Sequence, residues 1–219
     1  KCPDKLALLH LDADKNERRF TYRDLKTASN RCVNYFRSLG IGRGDKVMLV
    51  LKRHYQFWFA MIALHKLGAV AIPATSQLKE HDFTYRFDAA GVDAILATAD
   101  DGVPACVDSA ATSCPTLTTK ILVGGTRPGW HDFDSEYTLY SGHYDRPEDA
   151  PGGEETALMF FTSGTTGNSK MAAHKHTYAL GHFVTAKYWH CCERDGLHFT
   201  ISDTGWGKSL WGKFYGQFM

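Results

Sequence analysis

The sequence has no apolar run long enough to cross a membrane, because a spanning helix needs about 20 consecutive apolar residues. It also has no excess of one charge, since 25 basic and 24 acidic residues give a formal net charge of +1. No basic cluster alternates with aromatic residues, which argues against a nucleic-acid binder. No secretory signal precedes Lys1 and no Met starts the chain, so its natural start was trimmed or lies upstream. We expect a cytoplasmic protein.

Zinc-finger and redox patterns are absent too. The six cysteines form no C-x-x-C pair and no finger spacing, so we expect ordinary reduced thiols; they are Cys2, Cys32, Cys106, Cys114, Cys191 and Cys192. The length of 219 residues suits one large domain or two small ones. A chain of this size buries about 70 per cent of its unfolded surface on folding.

Apolar strands alternate with amphipathic helices over the first 123 residues. Each helix is followed by a glycine or a turn, and most of the strands are continuous apolar runs. The predicted strands are Val47–Leu51, Val70–Pro73, Val92–Thr98 and Lys120–Val123, and the predicted helices are Leu25–Leu39, Tyr55–Leu67, Leu78–Ala90 and Pro104–Cys114. This order predicts an α/β fold with a mainly parallel sheet and helices on both faces. Residues 125–153 lose the periodicity and predict a turn-rich surface excursion.

The most informative stretch is Leu158-Met-Phe-Phe-Thr-Ser-Gly-Thr-Thr-Gly-Asn-Ser-Lys170. Four apolar residues predict a buried strand, and a run of small and hydroxylated residues follows, closed by a lysine. Glycines let the backbone curl so that N–H groups point inward, and hydroxyls and an ammonium add further donors. The donors suit a polyphosphate, but the composition suits a solvated turn equally well. The spacing matches neither a P-loop nor a nucleophile elbow.

A pair of histidines follows this loop. If Met171–His176 is a strand, His174 and His176 point to the same face, and a metal pair must be considered. No third ligand lies nearby at a recognisable spacing. We therefore expect structural packing or contact with the loop, and we assign no metal ligand.

Two motifs resemble the adenylate-forming enzymes, the AMP-dependent synthetases and ligases. The loop is similar to their signature aromatic-Thr-Ser-Gly-Thr-Thr-Gly-x-Pro-Lys, with Ser169 in place of the proline. The segment Leu197–Trp206, ending in Ser-Asp-Thr-Gly-Trp, resembles the acetyl- and medium-chain acyl-CoA synthetases in particular. By this resemblance Trp206 forms a wall of the acid pocket and Trp211 lies further in, with core packing as the alternative for each. We expect Asp203 to cap a turn.

The resemblance implies a function for the chain. Family members convert a carboxylic acid and ATP into acyl-AMP and pyrophosphate, with magnesium, and then transfer the acyl group to a thiol, here coenzyme A. The ATP phosphates are implied to bind Thr162, Ser163, Gly164, Thr165, Thr166, Gly167 and Lys170. The alternatives are another adenylate former, such as an amino-acid adenylation domain or an aryl-CoA ligase, and a non-catalytic nucleotide-binding module. The resemblance allows a homodimer.

The family's downstream motifs for adenine, ribose and the adenylation lysine do not occur in this sequence. We therefore expect residues 1–219 to be the N-terminal portion of the AMP-binding domain, with the C-terminal domain absent. We also expect that this portion alone does not complete adenylation, and we assign no catalytic residue within it.

Overall fold

A computed structural model of the chain describes residues 2–163 and 169–218. The predicted loop residues Gly164, Thr165, Thr166 and Gly167, together with Asn168, lie outside the described residues. The strands, numbered in chain order, are β1 (Leu6–Leu11), β2 (Glu17–Thr21), β3 (Lys46–Val50), β4 (Val70–Pro73), β5 (Ala94–Thr98), β6 (Thr119–Val123), β7 (His131–Asp132), β8 (Thr156–Thr162) and β9 (Lys170–Lys175). The helices are α1 (Tyr22–Ser38), α2 (Gln56–Leu67), α3 (Glu80–Ala90), α4 (Val103–Ala111), α5 (Phe133–Glu136), α6 (Tyr178–Val184) and α7 (Gly207–Lys213).

Seven strands form the central sheet in the order β7-β6-β5-β3-β4-β8-β9. All neighbours run parallel except β8 and β9, which form an antiparallel hairpin at one edge. Strands β1 and β2 pair separately as an antiparallel ribbon. The prediction of an α/β fold with a mainly parallel sheet is confirmed.

Both faces of the sheet are covered, which explains why its strands are continuously apolar. Along β3 and just after it, Val47, Leu49 and Leu51 pack into one core with side chains of α1, α2 and α7. Met48 and Val50 point the other way, into a second core formed with α3 and α4. No helix within residues 2–163 and 169–218 combines the length and apolar character needed to cross a bilayer.

Local signals set the helix ends where the sequence indicates them. Thr21 and Asp24 form a reciprocal capping box at the start of α1: the Thr21 hydroxyl accepts from the Asp24 N–H at 3.1 Å, and the Asp24 carboxylate accepts from the Thr21 N–H at 2.8 Å. Helices α2 and α3 end at Gly68 (φ 74°) and Gly91 (φ 61°), in the left-handed region that favours glycine.

The predicted surface excursion over residues 125–153 needs a correction. Residues 131–139 return to the body of the fold, where β7 adds an edge strand beside β6 and α5 follows directly. Phe133 is fully buried and stacks on Tyr137, with ring centroids 4.7 Å apart. The carboxylate of Asp132 caps α5 by accepting from the Asp134 N–H at 3.1 Å. The sequence pattern missed this return because β7 has only two residues, and both are polar.

Candidate functional site

The stem of the predicted loop and the C-terminal motif lie at one edge of the sheet, where the parallel strands end. Strands β3, β4 and β8 run in the same direction, so the segments that follow them, beginning at Leu51, Ala74 and Ser163, emerge on the same side. This carboxyl edge is where ligands bind in open α/β sheets. The chain order also reverses here, because β4 lies on one side of β3 and β5 on the other.

The β8–β9 hairpin forms the stem of the predicted phosphate loop. Thr162 and Lys170 are paired across the two strands, and the Thr162 hydroxyl donates to the Lys170 carbonyl at 3.3 Å. Thr162, Ser163 and Lys170 are exposed. The stem therefore presents hydroxyl groups and a lysine to solvent at the carboxyl edge, and the roles of these residues in phosphate binding stay predictions.

Helix α3 clamps the returning side of the loop through two residues that the sequence reading did not single out. The Tyr85 hydroxyl donates to the Ser169 carbonyl at 2.7 Å, and the Arg86 guanidinium lies 3.4 Å from the Ser169 hydroxyl. Arg86 also stacks over Phe161 at 5.2 Å and pairs with Asp82 at 3.2 Å. The sequence signal for this contact is an arginine that lies one helical turn after an aspartate and next to buried phenylalanines.

The Ser-Asp-Thr-Gly-Trp turn docks on the ends of β3 and β4. The Thr204 N–H donates to the Lys52 carbonyl at 3.2 Å, and its hydroxyl donates to the same oxygen. Asp203 caps the turn as expected, since its carboxylate accepts from the Gly205 N–H at 2.8 Å. A Cβ atom on Gly205 would lie less than 3.0 Å from backbone atoms of Ala74 and Thr75, so only glycine permits this approach.

Lys52, which receives this turn, has a left-handed backbone with φ 45°. A non-glycine residue in this region carries strain, and such strain persists only where surrounding contacts hold it. Here the contacts are the Thr204 hydrogen bonds and an ion pair from Lys52 Nζ to Asp101 at 3.0 Å. Hydrogen bonds from Lys52 and Ser76 lower the pKa of Asp101, which keeps it ionised.

The turn also brings Trp206 next to the hairpin. Trp206 precedes α7 and is 58% exposed, and a Cβ atom on the following Gly207 would lie 3.8 Å from the Phe160 ring of β8. Trp211 stacks on His190, with ring centroids 5.7 Å apart and planes 11° from parallel. The structure thus joins the two motifs at one edge, and the assignment of Trp206 to an acid pocket stays a prediction.

The two histidines after the loop pack among aromatic side chains. His174 lies 4.1 Å from the Tyr178 ring centroid and 5.8 Å from that of Phe160, and His176 lies 5.5 Å from that of His65. Burial lowers the pKa of both His174 and His176. Within residues 2–163 and 169–218, no three His, Cys, Asp or Glu side chains are grouped so that they could hold a metal ion.

Comparison with known proteins identifies the family of the chain. The sequence profile of the family described as AMP-binding enzyme matches residues 1–210. The mouse mitochondrial acyl-coenzyme A synthetase ACSM5 is 32% identical over 215 residues, and human mitochondrial ACSM3 is 30% identical over 226 residues. These matches include 97% and 98% of this chain but only 36% of each relative, so the chain spans about a third of their length.

Solved structures agree on the fold. An acyl-CoA synthetase from Brucella canis superposes with a TM-score of 0.86 at 20% identity, covering 98% of this chain and 39% of that chain. The anthranilate CoA ligase AuaEII, solved with anthranoyl-AMP, superposes with a TM-score of 0.78 at 20% identity, covering 92% and 39%. At this identity the likeness concerns the fold alone. Because the family profile matches nearly the whole chain and the relatives match over its full extent, the chain belongs to the AMP-binding enzyme family.

Proposed function

We propose that the full-length protein is an acyl-CoA synthetase that activates a carboxylic acid with ATP to acyl-AMP and pyrophosphate and then transfers the acyl group to coenzyme A. The observation that carries the proposal is the meeting of two motifs at the carboxyl edge. The β8–β9 hairpin ends there beside the turn that holds Trp206, and Gly207 packs against Phe160 between them. Family membership and the acyl-CoA synthetase relatives support the same reaction.

The loop residues are suited to the phosphates of ATP. Its N–H, hydroxyl and ammonium groups hold the β- and γ-phosphates while the acid attacks the α-phosphate, and they stabilise the charge on the departing pyrophosphate. The residues proposed for this role are Thr162, Ser163, Gly164, Thr165, Thr166, Gly167 and Lys170. The exposure of Thr162, Ser163 and Lys170 supports it. No covalent protein intermediate is needed.

Magnesium and coenzyme A belong to the proposed reaction. Magnesium usually binds through one or two carboxylates together with substrate phosphates, so it needs no protein cage. Coenzyme A is the acyl acceptor named for the relatives. Trp206 is proposed as a wall of the acid pocket, and its 58% exposure leaves its ring open to a substrate.

Acid-dependent pyrophosphate exchange on the full-length protein tests the proposal. Exchange with short- or medium-chain fatty acids is the expected result, because the Ser-Asp-Thr-Gly-Trp turn resembles that branch. Exchange with amino acids or aromatic acids alone would favour another adenylate former, and the fold likeness to an anthranilate CoA ligase keeps an aryl acid in the panel. ATP binding without exchange would indicate a non-catalytic nucleotide-binding module. The 219-residue chain alone is expected to give no exchange, since it spans about 36% of its relatives.

Two properties of the whole protein are proposed with the reaction. The sequence predicts a cytoplasmic protein, and the mitochondrial names of the mammalian relatives make the mitochondrion the alternative compartment. Imaging of the tagged full-length protein decides between them. Light scattering on the purified protein tests the homodimer: a mass of about twice that of one chain supports it.

A further inference from the structure

A second chemically distinctive group lies between α1 and α2. The ammonium of Lys66, near the end of α2, donates to the Ser29 hydroxyl at 2.7 Å and to the Asn30 side-chain oxygen at 2.6 Å. Ser29 and Asn30 are buried, and the Asn30 amide donates to the Gly142 carbonyl at 2.9 Å. Two of the three hydrogens of Lys66 Nζ are therefore held by α1 in a fixed arrangement.

Lys66 is also one of the residues that line a cleft of about 290 Å³. The cleft gives a small reagent access to a side chain that is itself half-buried. Its lining residues come from the end of α1, the turn before β3, the end of α2 and the segment before β8: Arg37, Gly42, Arg43, Lys66, Leu67, Tyr144, Asp145, Pro147, Asp149 and Pro151.

No carboxylate of the described residues forms an ion pair with Lys66. The two acidic residues of the cleft have other partners, since Asp145 pairs with His143 at 3.1 Å and Asp149 pairs with Arg43 at 3.6 Å. The charged and titratable groups around Lys66 are Lys26, Cys32 and Arg37 on α1 and Arg43, Tyr144, Asp145 and Asp149 along the cleft. Burial, followed by the like charge of Lys26, lowers the pKa of Lys66 to about 8.

We propose that Lys66 is an acylation site, which accepts an acyl group at Nζ from a thioester or an acyl phosphate that enters the cleft. The Nζ lone pair of the neutral amine attacks the acyl carbonyl carbon, an N–C amide bond forms, and the C–S or C–O bond to the leaving group breaks. The leaving thiolate or phosphate takes the bonding electrons, and the displaced amine proton passes to it or to water. A desolvated lysine beside other cations is the arrangement that makes an amine nucleophilic near neutral pH.

The expected rate advantage follows from the fraction of neutral amine. At pH 8 a lysine with a pKa of about 8 is about half neutral, whereas a lysine at the ordinary value of about 10.4 is neutral to about 0.4%. The fraction of neutral amine is therefore about a hundredfold higher for Lys66. A less basic amine is also a weaker nucleophile, which offsets part of this advantage in rate. We expect Lys66 to be acylated about tenfold faster than an exposed lysine.

Timed labelling of the 219-residue chain with acetyl-CoA, and separately with acetyl phosphate, tests the proposal without relying on the proposed function, because the donor is added. Peptide mass spectrometry gives the rate at each lysine, with the exposed Lys15 and Lys187 as internal controls. Faster labelling at Lys66 with either donor supports the site, and the donor that works identifies the thioester or the acyl phosphate as the source. Labelling of Lys66 no faster than Lys15 with both donors overturns it.

A matched variant checks that the missing counterion is the cause. Asn30→Asp places a carboxylate oxygen beside Nζ, which favours the charged ammonium, and it removes the amide N–H that donates to the Gly142 carbonyl. We expect labelling of Lys66 to fall about tenfold in this variant, with Lys15 and Lys187 unchanged. An unchanged rate at Lys66 in a folded variant contradicts the proposal. The comparison within the wild-type chain decides the question even if the variant does not fold.

Discussion

Replacing Gly205 with alanine tests whether the Ser-Asp-Thr-Gly-Trp turn depends on close backbone contact. The added Cβ would lie less than 3.0 Å from backbone atoms of Ala74 and Thr75, at the end of β4. Backbone atoms cannot move aside as a flexible side chain does. The turn must therefore lift away from the sheet, and the hydrogen bonds from Thr204 to the Lys52 carbonyl lengthen or break.

The expected loss of stability has two parts. Overpacking of a tight contact destabilises by about 1–3 kcal/mol, and each lost hydrogen bond adds about 1 kcal/mol. With one or both hydrogen bonds lost, we therefore expect a loss of about 2–5 kcal/mol in the free energy of unfolding. With a urea m-value of about 2 kcal/mol/M, this loss lowers the urea midpoint by about 1–2.5 M. Tryptophan fluorescence follows the unfolding transition, because Trp206 lies at the end of the affected turn and Trp211 lies in the helix α7 that follows it.

Gly181→Ala is the matched control. Gly181 lies within α6, and a Cβ atom there would meet no atom within 4 Å, so alanine is expected to be neutral or to stabilise by up to about 1 kcal/mol. If Gly205→Ala unfolds within about 0.5 kcal/mol of the wild-type chain, the docking of the turn on β4 is wrong. In the proposed full-length synthetase the same variant should raise KM for the acid more than KM for ATP, since the displaced turn holds Trp206, the proposed wall of the acid pocket.

Three further predictions concern the loop, its clamp and the half-buried His65. Lys170→Ala in the full-length protein should lower the adenylation rate by about 10²–10³-fold, as expected for loss of one preorganised donor. Lys175→Ala, on the same strand, should leave the rate unchanged. A wild-type rate for Lys170→Ala would show that Lys170 does not belong to the site. Tyr85→Phe removes the 2.7 Å hydrogen bond to the Ser169 carbonyl, so urea unfolding should show a loss of about 0.5–1.5 kcal/mol, and no change would mean that the clamp contributes nothing. Burial, followed by the charge of His176, lowers the pKa of His65 to about 3, so the unfolded chain binds more protons below about pH 6.5. The contribution of His65 to stability is thus fully present above pH 6.5, and the free energy of unfolding falls by up to about 1.4 kcal/mol per pH unit as the pH drops toward 3. His65→Phe should flatten this slope, whereas His81→Gln, at an exposed site, should leave it unchanged. Equal slopes in the wild-type chain and in His65→Phe would refute this role of His65.

The elements were predictable from the sequence because each depends on its own residues. Apolar runs such as Val47–Leu51 report burial on both faces, and the Thr21–Asp24 box and Gly68 report helix ends. Their helices and strands lie within two residues of the predicted bounds at most ends. The strand order was not predictable in this way, since the periodicity shows that a strand is buried but does not show which strands lie beside it. Only tertiary packing places β5 on the far side of β3 from β4.

The site was predictable only as two separate motifs. The loop and the Trp206 turn carry recognisable residues, but their meeting depends on contacts between residues far apart in the chain. Thr204 reaches Lys52 across 152 positions, and Tyr85 reaches Ser169 across 84. Neither Lys52 nor Tyr85 has a residue type that marks such a role. The left-handed backbone of Lys52 has no sequence signal either, because lysine is not favoured in that region.

The departure of Ser169 from the family pattern has a physical explanation in these contacts. A proline at this position would fix its own backbone torsion through the ring. Serine leaves the torsion free, but here the Ser169 carbonyl accepts from Tyr85 and its hydroxyl lies beside Arg86, which Asp82 and Phe161 hold in turn. Side-chain contacts from α3 therefore restrain the residue that a ring would otherwise restrain. It follows that the position of Ser169 depends on α3, so a change at Tyr85 should affect Ser169 more than the same change affects the proline of a relative.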